Sequence, residues 1–131
     1  WDVATPGMET TRMTKVLLVD DDPTVVALIK TKLERDNRYA VMEAHNGKDA
    51  LELAEKQRPD VVLCDIDMPN MDGAAVAKAL EKNKATNGIP VIFLSAAVTA
   101  EDVKRSGNRP MVSKTSPLNE LADAIEKSRR R

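Results

Sequence analysis

The sequence predicts an α/β fold: a doubly wound parallel sheet of five strands with helices on both faces. Two observations lead there. Five short apolar runs, KVLLV, YAVME, VVLC, VIFL and MVS, alternate with longer segments of helical spacing. Strand alternating with helix requires parallel pairing through crossovers. The runs are also nearly continuously apolar, as strands covered on two faces must be.

Residues 1–13 (WDVATPGMETTRM) lack periodicity and read as a disordered leader or a remnant of expression, since Met8 and Met13 each offer a start. The folded domain is expected over residues 14–128. Its first strand runs into Asp20-Asp21-Asp22. Asp22 is then the N-cap of the first helix, with Pro23 at the first helical position and Val25, Ile29 and Leu33 on one face. The second helix follows Asn46-Gly47 and carries Ala50, Leu51 and Ala54. The third starts near Asp72-Gly73 and carries Val76, Ala77 and Leu80. Before Gly107, the segment VTAEDVKRSGNRP offers one or two helical turns, so the fourth helix is expected to be short or irregular. The last helix is capped by Ser116-Pro117 and shows the stripe Leu118, Leu121, Ala122, Ile125. Residues 129–131, all arginine, read as a basic tail that suits a helix end, or as the start of a linker. Five such units suggest the strand order 2-1-3-4-5, the flavodoxin-like arrangement.

A chain of 131 residues is one domain, long enough to hold a core without staples. Its net charge of -1, with both signs interspersed, gives no bias toward nucleic acid or membrane. One Trp, one Tyr and one Phe leave almost nothing for a base-stacking platform. The lone Cys64 excludes an internal disulfide and fits a reducing, cytoplasmic setting.

In a sheet of this order, ligands bind at the carboxyl ends of the strands, beside the point where strand order reverses. Strand one ends at Asp20-Asp21 and strand three at Asp65, and neighbouring strands lie about 4.8 Å apart. Two unit charges about 4 Å apart repel by on the order of 4 kcal/mol at an effective dielectric of 20. A divalent cation resolves that repulsion. Carboxylate oxygens with no His or Cys nearby point to Mg²⁺, with Mn²⁺ as a substitute. Strand four ends in Ser95 and strand five in Lys114. A metal, an ammonium and a hydroxyl are equipment for holding a phosphoryl group. No Walker-type or GxGxxG motif is present, so the acceptor is sought among the carboxylates themselves.

The set VLLVDDDP, VVLCDIDMPNMDG, VIFLSAA and VSK closely resembles the receiver domain of two-component response regulators, over about residues 15–128. The resemblance implies that Asp65 accepts a phosphoryl group from a sensor kinase phosphohistidine. It implies Mg²⁺ held by Asp20, Asp21, Asp65 and the backbone carbonyl of Asp67, with Lys114 and Ser95 as phosphate contacts. Chemistry is then limited to self-catalysed phosphorylation and dephosphorylation rather than enzymatic turnover. Implied partners are a sensor histidine kinase or phosphotransfer protein, and a downstream protein target or appended output domain. A homodimer is also compatible; direct nucleic-acid or membrane binding is not implied.

Other residues have plainer expectations. Asp72 starts the third helix, Cys64 belongs to the core, His45 lies on the surface, and Met68 and Met71 pack the loop after strand three. Three features depart from the family pattern. Thr115 stands where a cis-proline usually follows the lysine, and Met111 stands where an aromatic usually sits. Only eighteen residues separate Ser95 from Lys114, shorter than usual by roughly one helical turn. These departures motivate an alternative, a pseudo-receiver interaction module not regulated by phosphorylation. They also suggest a fourth helix that is loose without phosphate and ordered with it. A haloacid-dehalogenase-type phosphatase, suggested by Asp65-Ile66-Asp67, has its acids in the reverse order and needs a cap that this chain has no room for.

Overall fold

Strands that are apolar on both faces need a helical layer on each, and the chain supplies them. The computed structural model describes residues 13–129; the expected leader before Met13, and Arg130 and Arg131 of the basic tail, lie outside the described residues. In chain order the elements are β1 (Thr14–Val19), α1 (Pro23–Glu34), β2 (Tyr39–Ala44), α2 (Gly47–Gln57), β3 (Val61–Asp65), α3 (Gly73–Lys82), β4 (Val91–Ser95), α4 (Ala100–Ser106), β5 (Met111–Ser113) and α5 (Leu118–Arg129). The sheet is parallel throughout, in the order β2-β1-β3-β4-β5. That is the doubly wound, flavodoxin-like arrangement expected, with order reversing between β1 and β3.

The period of two along each strand divides the core. Leu17 and Val19 join Val62, Cys64 and Phe93 under α2 and α3. Val16 and Leu18 join Leu63, Ile92 and Leu94 under α1 and α5. Each large aliphatic side chain fully buried this way contributes about 1.5–3 kcal/mol. Tyr39 is buried with the second group and donates its hydroxyl to Glu126 Oε2 at 2.8 Å. Cys64 is a core residue, and burial pushes its thiol up, away from reactivity.

Helix starts follow the sequence closely. The side chains of Asp22, Asn46 and Asp72 accept the N–H groups of Thr24, Asp49 and Ala75 as N-caps. One stripe is rotated from expectation: α1 buries Val26, Ile29 and Leu33, with Val25 at the edge of the cluster. Asn46 takes its bond at 2.8 Å on an exposed helix end, so Asn46→Ala is expected to cost about 1 kcal/mol in urea unfolding, and Asn46→Gly only a few tenths.

Helix α4 is short, as expected, with seven residues between the Thr99 N-cap and Gly107, whose φ of 60° lies in the left-handed region that glycine tolerates. It differs from the other helices in what it buries. Its two buried residues are Asp102 and Ser106, both polar, and Val103 is 55% exposed. No α4 side chain belongs to either core cluster. Among the described residues no helix is long and apolar enough to cross a membrane.

Candidate functional site

The topology brings the tips of β1 and β3 side by side, with Val19 paired to Cys64. One residue further on, both chains present a carboxylate. Asp20 continues the ladder by donating its N–H to the Ala44 carbonyl at 3.2 Å, and its side chain is fully buried. Asp20 Oδ1 accepts the Asp22 N–H at 2.9 Å. Asp20 Oδ2 is buried without a hydrogen bond of good geometry, although Lys114 Nζ lies 2.9 Å away. Asp65 is 2% exposed; its Oδ1 accepts the Asp67 N–H at 3.1 Å, and its Oδ2 lies 3.1 Å from Lys114 Nζ. Asp21 is exposed at the mouth. Oxygens of Asp20, Asp21 and Asp65 lie within 4.8 Å of one another.

Lys114 is aimed by the sheet. Its N–H donates to the Ser95 carbonyl at 2.8 Å, extending the β4–β5 ladder by one residue. No peptide bond among the described residues is cis, so Lys114 precedes Thr115 through a trans bond and still reaches both buried acids.

The electrostatics follow from burial against pairing. Burial pushes the Asp65 carboxyl up to about 6; the Asp67 N–H and the Lys114 ammonium pull it down, and the Asp20 charge adds to the rise. Burial lowers Lys114, and its contacts with Asp20 and Asp65 outweigh that, leaving it above the ordinary lysine value.

A divalent cation fits these residues. Three carboxylates converge beside a single ammonium, and one of their buried oxygens has no hydrogen bond. An all-oxygen donor set of this kind suits Mg²⁺.

Ser95 is placed differently from the acids and Lys114. It is 3% exposed, and its Oγ lies 2.7 Å from Asp102 Oδ2 and 2.9 Å from the Ala97 carbonyl. The hydroxyl thus faces α4. The Ser95 hydroxyl, through that bond, holds the Asp102 carboxyl below its ordinary value. Asp67 turns its side chain outward to Arg105, whose Nη1 is 2.7 Å from Asp67 Oδ1. The other Arg105 terminal nitrogen donates to the Ile66 carbonyl at 3.2 Å.

Two residues here, Asp102 and Arg105, went unnoticed in the sequence, and Gly73 was read only for its place at a helix start. Asp102 stands three residues after Thr99, where a carboxylate reads as a capping-box partner rather than as a ligand for Ser95. Arg105 gives no signal in a polar helical segment. Gly73 reads as a helix start, yet a Cβ there would stand 2.5 Å from the Asp65 carbonyl oxygen. The plainer expectations agree with the structure. His45 is exposed beside Glu43, Met68 is buried, and Met71 packs against the core edge and Gly47.

The chain matches the family model of the response regulator receiver domain over residues 16–126. Protein PilH of Pseudomonas aeruginosa is 37% identical over 111 residues, which cover 82% of this chain and 89% of that protein. The alkaline phosphatase synthesis transcriptional regulatory protein PhoP of Bacillus subtilis is 38% identical over 82 residues, 63% of this chain but only 33% of PhoP. Among solved structures, the chemotaxis protein CheY4 of Vibrio cholerae is 28% identical with a TM-score of 0.80, covering 88% of this chain and 98% of that one. A response regulator from Chloroflexus aurantiacus is 26% identical with a TM-score of 0.83, covering 92% of this chain and 100% of that one. Fold, strand order and these matches agree, and the chain belongs to the response regulator receiver domain family of two-component signalling.

Proposed function

We propose that this receiver domain takes a phosphoryl group onto Asp65 and thereby switches its interaction with a protein partner. The observation that carries the reading is the convergence of Asp20, Asp21 and Asp65 around Lys114, with Asp20 Oδ2 buried and without a hydrogen bond. Left to themselves, convergent buried acids only destabilise the fold, which is the mark of a functional site. Asp20, Asp21, Asp65 and the backbone carbonyl of Asp67 would hold Mg²⁺, which supplies charge neutralisation when bound.

Each residue then has a defined task. A carboxylate oxygen of Asp65 forms the bond to phosphorus as the bond from phosphorus to the donor's imidazole nitrogen breaks, and that nitrogen keeps the electron pair. The β3 backbone and the Asp67 N–H fix the nucleophile, limiting its reorganisation. Lys114 Nζ, already between the two buried acids, offers its remaining protons to the phosphoryl oxygens. The donor class is a sensor kinase or phosphotransfer protein carrying phosphohistidine.

Titration calorimetry is expected to show saturable Mg²⁺ binding by the wild type. With Mg²⁺ present, beryllofluoride is then expected to bind the wild type and to leave Asp65→Asn unchanged. A wild type indifferent to both reagents defeats the reading and favours an interaction module that works without phosphorylation.

A further inference from the structure

The polar contacts of α4 carry a consequence that the acid cluster alone does not. Ser95 Oγ bears one proton, and its acceptors in this structure are Asp102 Oδ2 at 2.7 Å and the Ala97 carbonyl at 2.9 Å. A hydrogen bond to a carboxylate is the stronger of the two. Asp102 is 9% exposed, so its charge depends on the partners its carboxylate has: Ser95 Oγ on Oδ2 and Arg105 Nη1 on Oδ1 at 3.5 Å. Arg105 in turn reaches the loop after β3, at the Ile66 carbonyl and Asp67 Oδ1, with Asp72 Oδ2 at 3.9 Å. Ser106 Oγ donates to Val103 within the helix and fastens nothing outside it. Because α4 sends no side chain into the core, the contacts of Asp102 and Arg105 are its side-chain fastenings to the acid site among the described residues.

We infer that Asp102 is a positioning residue that holds the Ser95 hydroxyl away from Asp65, so that a phosphoryl group and helix α4 compete for one proton. The inference rests on the phosphoacceptor reading of Asp65. When an anionic phosphoryl group draws Ser95 toward β3, Asp102 loses its hydroxyl donor while still shielded from water. Arg105 Nη1 faces only its Oδ1, at 3.5 Å, so Oδ2 regains a partner only by hydration, which requires the start of α4 to lift. Arg105 alone then tethers the helix. The order of events is the reverse of the sequence-based expectation: α4 is fastened without phosphate and loosened with it.

The test combines amide exchange of residues 103–106 with beryllofluoride titration in Mg²⁺. In the wild type, exchange of these amides is expected to quicken at least about tenfold on saturation, the equivalent of one lost charge-assisted bond. In metal-free buffer, Ser95→Ala and Asp102→Ala are expected to quicken it similarly, and the double variant no further. Asp102→Ala is expected to bind beryllofluoride about tenfold more tightly than wild type, because the competing acceptor is gone. Asp102→Asn keeps the shape with a weaker acceptor, and an intermediate gain is expected should the alanine variant fold poorly. A purely structural Asp102 would leave that affinity unchanged or reduced, and such a result overturns the inference. Binding by the wild type with unchanged exchange in α4 overturns it too, while leaving the phosphoacceptor reading intact. No binding by the wild type defeats both.

Discussion

Lys114→Ala is expected to lower stability by about 3–5 kcal/mol in metal-free buffer, the usual cost of removing one partner from a buried charge pair. The ammonium sits 2.9 Å from Asp20 and 3.1 Å from Asp65, and both acids are almost fully buried. Without it, two carboxylates face each other across adjacent strand tips in a region of low dielectric. Protonation of one of them is the cheapest relief, and burial already drives Asp65 in that direction, up to about 6. Mg²⁺ should restore more stability to the variant than it adds to the wild type, because the ion replaces a missing cation. At a concentration of 100 times its dissociation constant, a bound ion adds about 2.7 kcal/mol. Adding Asp65→Asn to Lys114→Ala should recover much of the loss without metal, since one of the two opposed charges is then gone. Urea unfolding of the three proteins, with EDTA and with Mg²⁺, checks these signs. Equal midpoints for Lys114→Ala in the two buffers would show that the acids do not share an ion.

How much of this site was legible in the sequence depends on what fixes each residue. Asp20 and Asp65 were legible because a parallel sheet of known order leaves no freedom in where its strand tips lie. The register of Val19 with Cys64 then forces the next residues together. Lys114 was legible for the same reason, being carried by the ladder from Ser95. Side-chain direction at Ser95 was not. Its backbone sits where expected, but its hydroxyl turns on a single dihedral, and the choice between Asp65 and Asp102 depends on a helix seven residues long. The packing of α4 was also hidden, because a segment without an apolar stripe gives periodicity reasoning nothing to place. On α1, Val25 and Val26 are adjacent and equally apolar, so pattern alone did not decide which faces the core; the helix's rotation against α5 and the sheet did. In each case local chemistry set the element, and a long-range contact set the orientation.

Gly73→Ala tests such a contact, and it is expected to cost about 1–3 kcal/mol, the range for forcing an extra methyl into a packed site. Alanine in place of glycine ordinarily favours a helix by about 1 kcal/mol, so the expected sign is opposite to the propensity rule. The reason is what the methyl would meet. A Cβ at Gly73 would lie 2.5 Å from the Asp65 carbonyl oxygen and 2.8 Å from Ile66 Cα, both backbone atoms that cannot swing aside. The Gly73 N–H also donates to the Ile66 carbonyl at 3.1 Å, closing the loop that carries Asp67. Relief must therefore come from moving α3 off the sheet or pushing the end of β3, and the second route displaces the Asp65 carboxylate from Lys114. Both routes should weaken beryllofluoride binding in Mg²⁺ along with stability. Gly88→Ala is the control, because a Cβ there has nothing within 4 Å and should change neither quantity. If Gly73→Ala unfolds at the wild-type urea midpoint, the close approach of α3 to the end of β3 is wrong. If it is destabilised yet binds beryllofluoride with wild-type affinity, the strain has gone into α3, and the end of β3 is stiffer than the helix packed against it.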